Sequence, residues 1–375
     1  MVEIVREITF NKNSTEASHR NYGLDIARCC AVLIVFLAHT LTNLYSASIP
    51  YLWYATFLGV ELFFSLSGFL IGGMLIDLFN RFPDNLSLKH IGNFWARRWF
   101  RTLPLYFILY FIYLIVYNCW ISPVAIDWKY LFFLQNLSSP PPAFFGESWS
   151  LGIEEWSYLS IPLLLFAAYL CRKTFGLSTR MGFYYVQVAL LIIIIQIIIR
   201  LYNPDCTSWG CIAVFRRFDA VAYGLIAAYV HKMKFLQAKF ASKISLAAGI
   251  ILCFAAGVIK VKIPNSTYWS QLYFPVNGSG TALIIIGLYY TRFTKRYAVI
   301  TFISMISYSI YLIHLSGVII PLKKITAGTF MEGTFMLCVI SVVLSIALAA
   351  LSYKIIEQPF LRMRDRWIPA YNGKK

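Results

Sequence analysis

The sequence predicts an all-α fold, a polytopic membrane bundle of about ten helices with both termini cytoplasmic. Two observations predict the class. Hydrophobic residues make up 59% of the 375-residue chain and charged residues only 13%, with mean hydropathy +0.67. A soluble domain carries roughly 25% charged residues. The charges also gather between long apolar runs, the pattern of a chain that crosses a bilayer repeatedly.

In chain order, the polar tail 1–23 comes first. It lacks an apolar core followed by a cleavage site, so the first apolar run is expected to be a retained span. Spans then fall near 27–47, 54–78, 103–121, 157–171, 183–200, 212–231, 244–261, 272–290, 298–320 and 334–356. The fourth is the shortest and the eighth contains glycines. No period of 20–50 residues recurs and no linker sets off a second unit. Residues 24–360 therefore read as one membrane domain, followed by a cytoplasmic tail, 361–375. The prolines of "SSPPPAFFGES" (138–148) stiffen a loop rather than divide domains.

An even number of spans puts both termini on one side. Of the 33 lysines and arginines, 25 fall on that side and 8 on the other. The richer side is expected to be cytoplasmic. The net charge of +17 follows from this bias and from contact with anionic membrane lipids, so no nucleic-acid partner is read from it. Cys206 and Cys211, in "NPDCTSWGC", fall in an expected outer loop where a disulfide can form in an oxidising compartment. The other six cysteines read as small packing residues.

Polar side chains inside the spans are costly, about 2.5–3.5 kcal/mol for a charge at mid-bilayer, and so need partners or a task. In "LDIARCCAVLIVFLAH", Arg28 and His39 are eleven residues apart, three helical turns, and share one face about 16 Å apart along the axis. Asp25 lies one turn before Arg28 and can pair with it. An imidazole about halfway across the membrane can take and return a proton near neutral pH. The plain alternative is a buried histidine that ties two helices together. "GVELFFSLSGFLIGG" places Glu61 in the second span among Ser67, Gly68 and other small residues, which suit a ligand or close helix packing equally. Arg97, Arg98 and Arg101 enter the third span. Their forked donors suit phosphates, and Arg97 and Arg101 share a face, but arginines at a membrane mouth also anchor to lipid. In "SWSLGIEEWSYLSIP", Trp149, Ser150, Glu154 and Tyr158 lead into the fourth span from the outer side. An aromatic belt with a helix cap would explain part of this. Arg217 and Asp219 sit at the outer end of the sixth span. Tyr308, Tyr311 and His314 follow at three-residue steps in the ninth. Glu357 and Pro359 close the tenth.

Together these motifs resemble the acyltransferase-3 family of integral-membrane O-acyltransferases. The resemblance runs from Asp25 to Pro359. Its motifs are Leu-Asp-x-x-Arg and Arg-x10-His at 24–39, Phe-Phe-x-x-Ser-Gly-Phe at 63–69, Arg-Arg-x-x-Arg at 97–101 and Trp-Ser-Leu-x-x-Glu-Glu at 149–155. Arg-x-Asp at 217–219, Tyr-Leu-x-His at 311–314 and Glu-x-Pro at 357–359 complete it. Each is weak alone; in register along one chain they are specific.

The resemblance implies transfer of an acyl group, with acetyl expected, from cytoplasmic acyl-CoA to a sugar hydroxyl beyond the membrane. The acceptor would be a glycan or glycolipid of the cell envelope, lipopolysaccharide and peptidoglycan among them, and the enzyme would sit in the bacterial inner membrane. It implies His39 as base or acyl carrier with Glu154 as a second catalytic candidate. Arg28, Arg97, Arg98 and Arg101 would serve the donor. Asp25, Glu61, Ser67, Gly68, Trp149, Ser150, Tyr158, Arg217, Asp219, Tyr311 and His314 would support the site or the acceptor. Acyl-CoA would be a substrate, with no tightly bound cofactor and no metal. Some members carry a C-terminal esterase-like domain; this chain ends 16 residues after Pro359 and is expected to lack one. Trp156-Ser157 stands where the family has Gln-Phe after the paired glutamates, which leaves acceptor details open. The competing reading is a proton-coupled transporter using His39, Glu61, Glu154 and His314 as a relay. Broken inverted repeats would favour it, and the sequence shows none.

Overall fold

The computed structural model describes residues 20–45, 50–137, 144–176, 181–202, 212–233, 239–262 and 267–368. The candidate disulfide between Cys206 and Cys211, residues 1–19 and residues 369–375 lie outside the described residues. Among the described residues there is no strand.

The helices are α1 (Tyr22–Leu44), α2 (Pro50–Arg81), α3 (Leu88–Val116), α4 (Trp149–Thr174), α5 (Met181–Tyr202), α6 (Phe218–Lys232), α7 (Lys239–Lys262) and α8 (Thr267–Tyr290). The short segments α9 (Ala298–Met305), α10 (Ser307–Ile313) and α11 (Ile320–Thr326) follow, then α12 (Phe335–Ser352) and α13 (Gln358–Trp367). Every expected span coincides with a helix or a helix group. Among the described residues, eight helices are long and apolar enough to cross a membrane, and a bent pair makes a ninth. At 15 residues, α6 is shorter, about 22 Å. It survives because it is enclosed: Asp219 to Leu225 are all buried. Its contact with α2 is backbone to backbone. A Cβ on Gly68 would stand 2.1 Å from the carbonyl oxygen of Val221, and one on Gly224 would stand 2.1 Å from that of Ser65. Only small residues permit such an approach.

Two boundaries differ from expectation, for related reasons. The fourth helix begins at Trp149, eight residues before the expected start of its span. Its polar first turns looked like surface, yet Ser150, Glu155 and Ser157 are buried and bonded to protein. The connection before it is also interior. Gln135, Asn136 and Phe145 are fully buried. Tyr106 donates to the carbonyl of Tyr130 at 2.9 Å, Tyr130 to that of Phe144 at 2.6 Å, and Asn136 to those of Trp149 and Ile212 at 2.9 and 2.6 Å. Irregular backbone survives at such burial only where neighbouring groups satisfy it in this way.

The ninth span is broken. It bends by 56° between α9 and α10. Past α10 the chain runs through a π-helical turn, His314–Ile319, before α11. Similar turns end α3 at Tyr117–Ile121 and α12 at Tyr353–Glu357. A widened turn of this kind frees backbone groups and often marks a functional position.

Candidate active site

Two features come together where α1, α3 and α4 meet the broken ninth span. The first is a pair of histidines. His39 Nδ1 and His314 Nε2 are 2.8 Å apart, and the rings lie nearly parallel, 9° between planes. His314 is fully buried and its Nδ1 faces the carbonyls of Tyr311 and Ile310 at 2.8 and 3.1 Å. Phe36 packs edge-on against the same ring. His39 is only half-buried.

The second is a cavity of about 100 Å³ walled by Arg28, Ser67, Arg98, Arg101, Glu154, Tyr158, Tyr308 and Tyr311, among others. Three guanidiniums there face one carboxylate. Glu154 accepts from the Ser67 hydroxyl at 2.8 Å and from Tyr158 at 3.0 Å. The Arg98 guanidinium lies 4.3 Å from the centre of the Tyr158 ring, and its buried Nε has no hydrogen-bond partner among the described residues. Arg28 is held 4.0 Å from Asp25, which Arg20 also grips at 2.8 Å. Apolar walls contributed by Val60, Phe63, Phe64, Leu66 and Leu70 complete the space. A chamber with a basic wall and an apolar wall suits a ligand with an anionic end and a neutral body.

His39 is not part of the cavity wall. Tyr311 connects the two features: it lines the cavity and its ring packs against His314 with centroids 5.9 Å apart. The Tyr311 hydroxyl lies 2.6 Å from that of Ser150 and donates to the carbonyl of Glu147 at 3.2 Å.

Several candidates take positions that differ from expectation. Arg97 faces away from the cavity and docks α13, bonding to Asp365 at 3.1 Å and to the carbonyl of Ile368. The arginines that share the cavity are therefore Arg98 and Arg101, spaced i, i+3, and not the i, i+4 pair Arg97 and Arg101. Glu154 was expected on an outer approach; it stands at the basic wall beside Arg98. Glu61 pairs with Arg217, and next to them Arg200 and Asp219 pair at 2.6 Å. All four are nearly inaccessible, and none lines the cavity. Gly68 serves the α2–α6 contact. Trp149 packs between Phe57 and Phe64.

Sequence reasoning passed over Glu147. It is 1% exposed and accepts from the backbone N–H of Ser316 at 3.1 Å and from its hydroxyl at 2.7 Å. Tyr113 was also missed; it donates to the carbonyl of Leu312 at 2.9 Å. An acid one step before the "SWS" motif was the available signal for Glu147. Tyr113 gave none in a span rich in aromatics.

A family model described as an acyltransferase domain matches residues 21–354. A Staphylococcus aureus protein named as a putative O-acetyltransferase is 25% identical over 93% of this chain and 59% of its own length. A Bacillus subtilis protein named as a putative peptidoglycan O-acetyltransferase is 26% identical over 92% of this chain and 56% of its own. The peptidoglycan O-acetyltransferase of Listeria monocytogenes is 28% identical over 29% of this chain. The chain thus spans less than two thirds of the length of these relatives. No solved structure matches it. With the family model spanning most of its length, the chain belongs to the acyltransferase-3 family of integral-membrane acyltransferases.

Proposed function

We propose that this chain is an O-acetyltransferase of the bacterial cytoplasmic membrane. It takes acetyl from acyl-CoA on the cytoplasmic side and delivers it to a hydroxyl of an envelope glycan. Peptidoglycan is the favoured acceptor class, because relatives bear that name. The observation that carries the reading is the adjacency of a histidine pair, His314 buried and His39 half-buried, to a cavity whose basic wall holds an arginine nitrogen unpartnered among the described residues.

The chemistry follows from the placement. Arg28, Arg98 and Arg101 offer forked donors to the phosphates of the donor, and the apolar wall accepts its thin pantetheine arm. The thioester then lies toward His39. His39 removes the proton of the acceptor hydroxyl, the oxygen attacks the thioester carbonyl, and the thiolate leaves and takes up a proton. The alternative course uses the same lone pair as nucleophile, with an acyl-imidazole as intermediate. Glu154, bonded to Ser67 and Tyr158, holds the cavity's tyrosine beside Arg98.

The test is acetyl transfer from radiolabelled acetyl-CoA to isolated peptidoglycan by purified protein in detergent. The wild-type protein is expected to label the glycan. His39→Ala is expected to fold and to lose at least ~10²-fold in rate, the lower range for a positioned acid–base group. Substantial turnover in folded His39→Ala would overturn the assignment of His39. Wild-type protein that moves protons across vesicles but labels no glycan would favour the transporter.

A further inference from the structure

We infer that His314 is a positioning residue that fixes the tautomer of His39, so that His39 presents an unprotonated Nε2 to its substrate. The inference rests on the reading of His39 as the catalytic group.

The argument is one of hydrogen-bond accounting. Both neighbours of His314 Nδ1 are backbone carbonyls, at 2.8 and 3.1 Å. Carbonyl oxygens only accept, so Nδ1 must carry the proton. A neutral imidazole protonated at Nδ1 has a lone pair at Nε2. That lone pair faces His39 Nδ1 at 2.8 Å, so His39 Nδ1–H donates. The remaining proton position on neutral His39 is then empty, and its Nε2 is a lone pair. Among the described residues no group bonds to that nitrogen. When His39 takes a proton there, the Nδ1–H bond to His314 becomes charge-assisted and strengthens. The arrangement parallels histidine sites in which the bond at one ring nitrogen decides the chemistry of the other.

The backbone is shaped for this task. In an unbroken α-helix the N–H of Ser316 would bond to the carbonyl of Leu312. Here Glu147 takes that N–H, and the Tyr113 hydroxyl takes that carbonyl. Gly317 makes room for Tyr113: a Cβ there would stand 2.6 Å from the tyrosine oxygen. Side chains from two other elements thus stabilise the π turn that begins at His314. A functional turn with its freed groups satisfied by dedicated partners is a held position, not a relaxed one.

The test combines kinetics with a spectroscopic signature on the whole chain in detergent. Nitrogen NMR on ¹⁵N-histidine-labelled protein, assigned with the His39→Gln sample, reports the tautomer of His39. The expected result is a protonated Nδ1 in wild type. His314→Ala is expected to lose that preference and to lower kcat by about 10- to 100-fold, the scale on which removal of an imidazole's orienting partner acts. KM for acetyl-CoA should not move, since His314 does not line the cavity. His314→Gln restores an acceptor at the same reach and should recover much of the rate. A wild-type His39 protonated at Nε2 would overturn the inference whatever the variants do. So would His314→Ala with full kcat, or His314→Gln as impaired as Ala at equal melting temperature. If His39→Ala is inactive while His314→Ala is fully active, the positioning role falls and the catalytic reading of His39 stands. Full activity of His39→Ala removes both.

Discussion

Glu61 offers the sharpest separation of architecture from chemistry. Its carboxylate pairs with Arg217, and the two side chains are 2% and 1% exposed. The Arg217 guanidinium also lies 4.5 Å from the centre of the Phe274 ring. Truncation by Glu61→Ala leaves that guanidinium without its carboxylate in a nearly dry interior. Breaking a buried pair from one side costs about 3–5 kcal/mol, because the abandoned charge loses its counter-ion and gains no water. At about 2–4 °C per kcal/mol, the melting temperature should fall on the order of 6–20 °C. Replacing both partners, with Glu61→Met and Arg217→Met together, removes the charge as well as its partner and should recover most of that loss. The three proteins should be compared by thermal unfolding in one detergent, followed by acetyl transfer normalised to the folded fraction. The reasoning requires a large loss of stability in the single variant, recovery in the double variant, and similar turnover per folded molecule in all three. A Glu61→Ala protein that melts like wild type but transfers no acetyl would refute it, and would place the carboxylate on the acceptor.

Two further outcomes follow from the geometry. Arg98→Ala or Arg101→Ala should raise KM for acetyl-CoA about 10- to 100-fold, since a charge-assisted phosphate contact contributes about 1.5–3 kcal/mol; Arg97→Ala, which faces α13, should leave KM unchanged and cost under about 1 kcal/mol of stability. Equal KM effects at Arg97 and Arg98 would remove the distinction. Gly68→Ala should destabilise the protein by about 1–3 kcal/mol or more, because the obstructing atom is a backbone carbonyl that cannot rotate aside; an unchanged melting temperature would show that α2 and α6 part without cost.

The sequence made the helices legible because each span is long, apolar and bounded by charge, and the bilayer permits few other structures. Its reading failed where burial is against protein rather than lipid. The first turns of α4 and the loop before it are polar, and a hydropathy pattern places polar segments at the surface. Their partners lie on other helices, as with Ser150 and Tyr311, 161 residues apart. The site was legible to a similar depth. Arg28 and His39 stood out as polar residues on one face of an apolar helix. Which arginine turned inward did not, because Arg97, Arg98 and Arg101 differ only in helical phase. That phase is set by the buried face of α3, including Phe94, Thr102, Tyr106 and Tyr113, and it leaves Arg97 beside Asp365, 268 residues away.

What separates the scaffold from the site is whether a group of charges is complete without a ligand. Glu61, Arg217, Arg200 and Asp219 form two adjacent ion pairs, equal in sign count and nearly inaccessible. Such a group balances its charge without a ligand. At the cavity the count differs. Arg28, Arg98 and Arg101 share a wall with Glu154 alone. Glu155 accepts from the hydroxyl of Thr102 at 2.8 Å and Glu357 from that of Ser309; both stand within electrostatic reach of the arginines, Arg98 and Arg101 respectively, but neither lines the cavity. Arg98 keeps a buried nitrogen without a partner among the described residues. On the proposed function, this arginine-rich wall is where the phosphates of the donor would dock. The histidine pair is one tyrosine away, and on the same reading it would meet the acyl end of that donor.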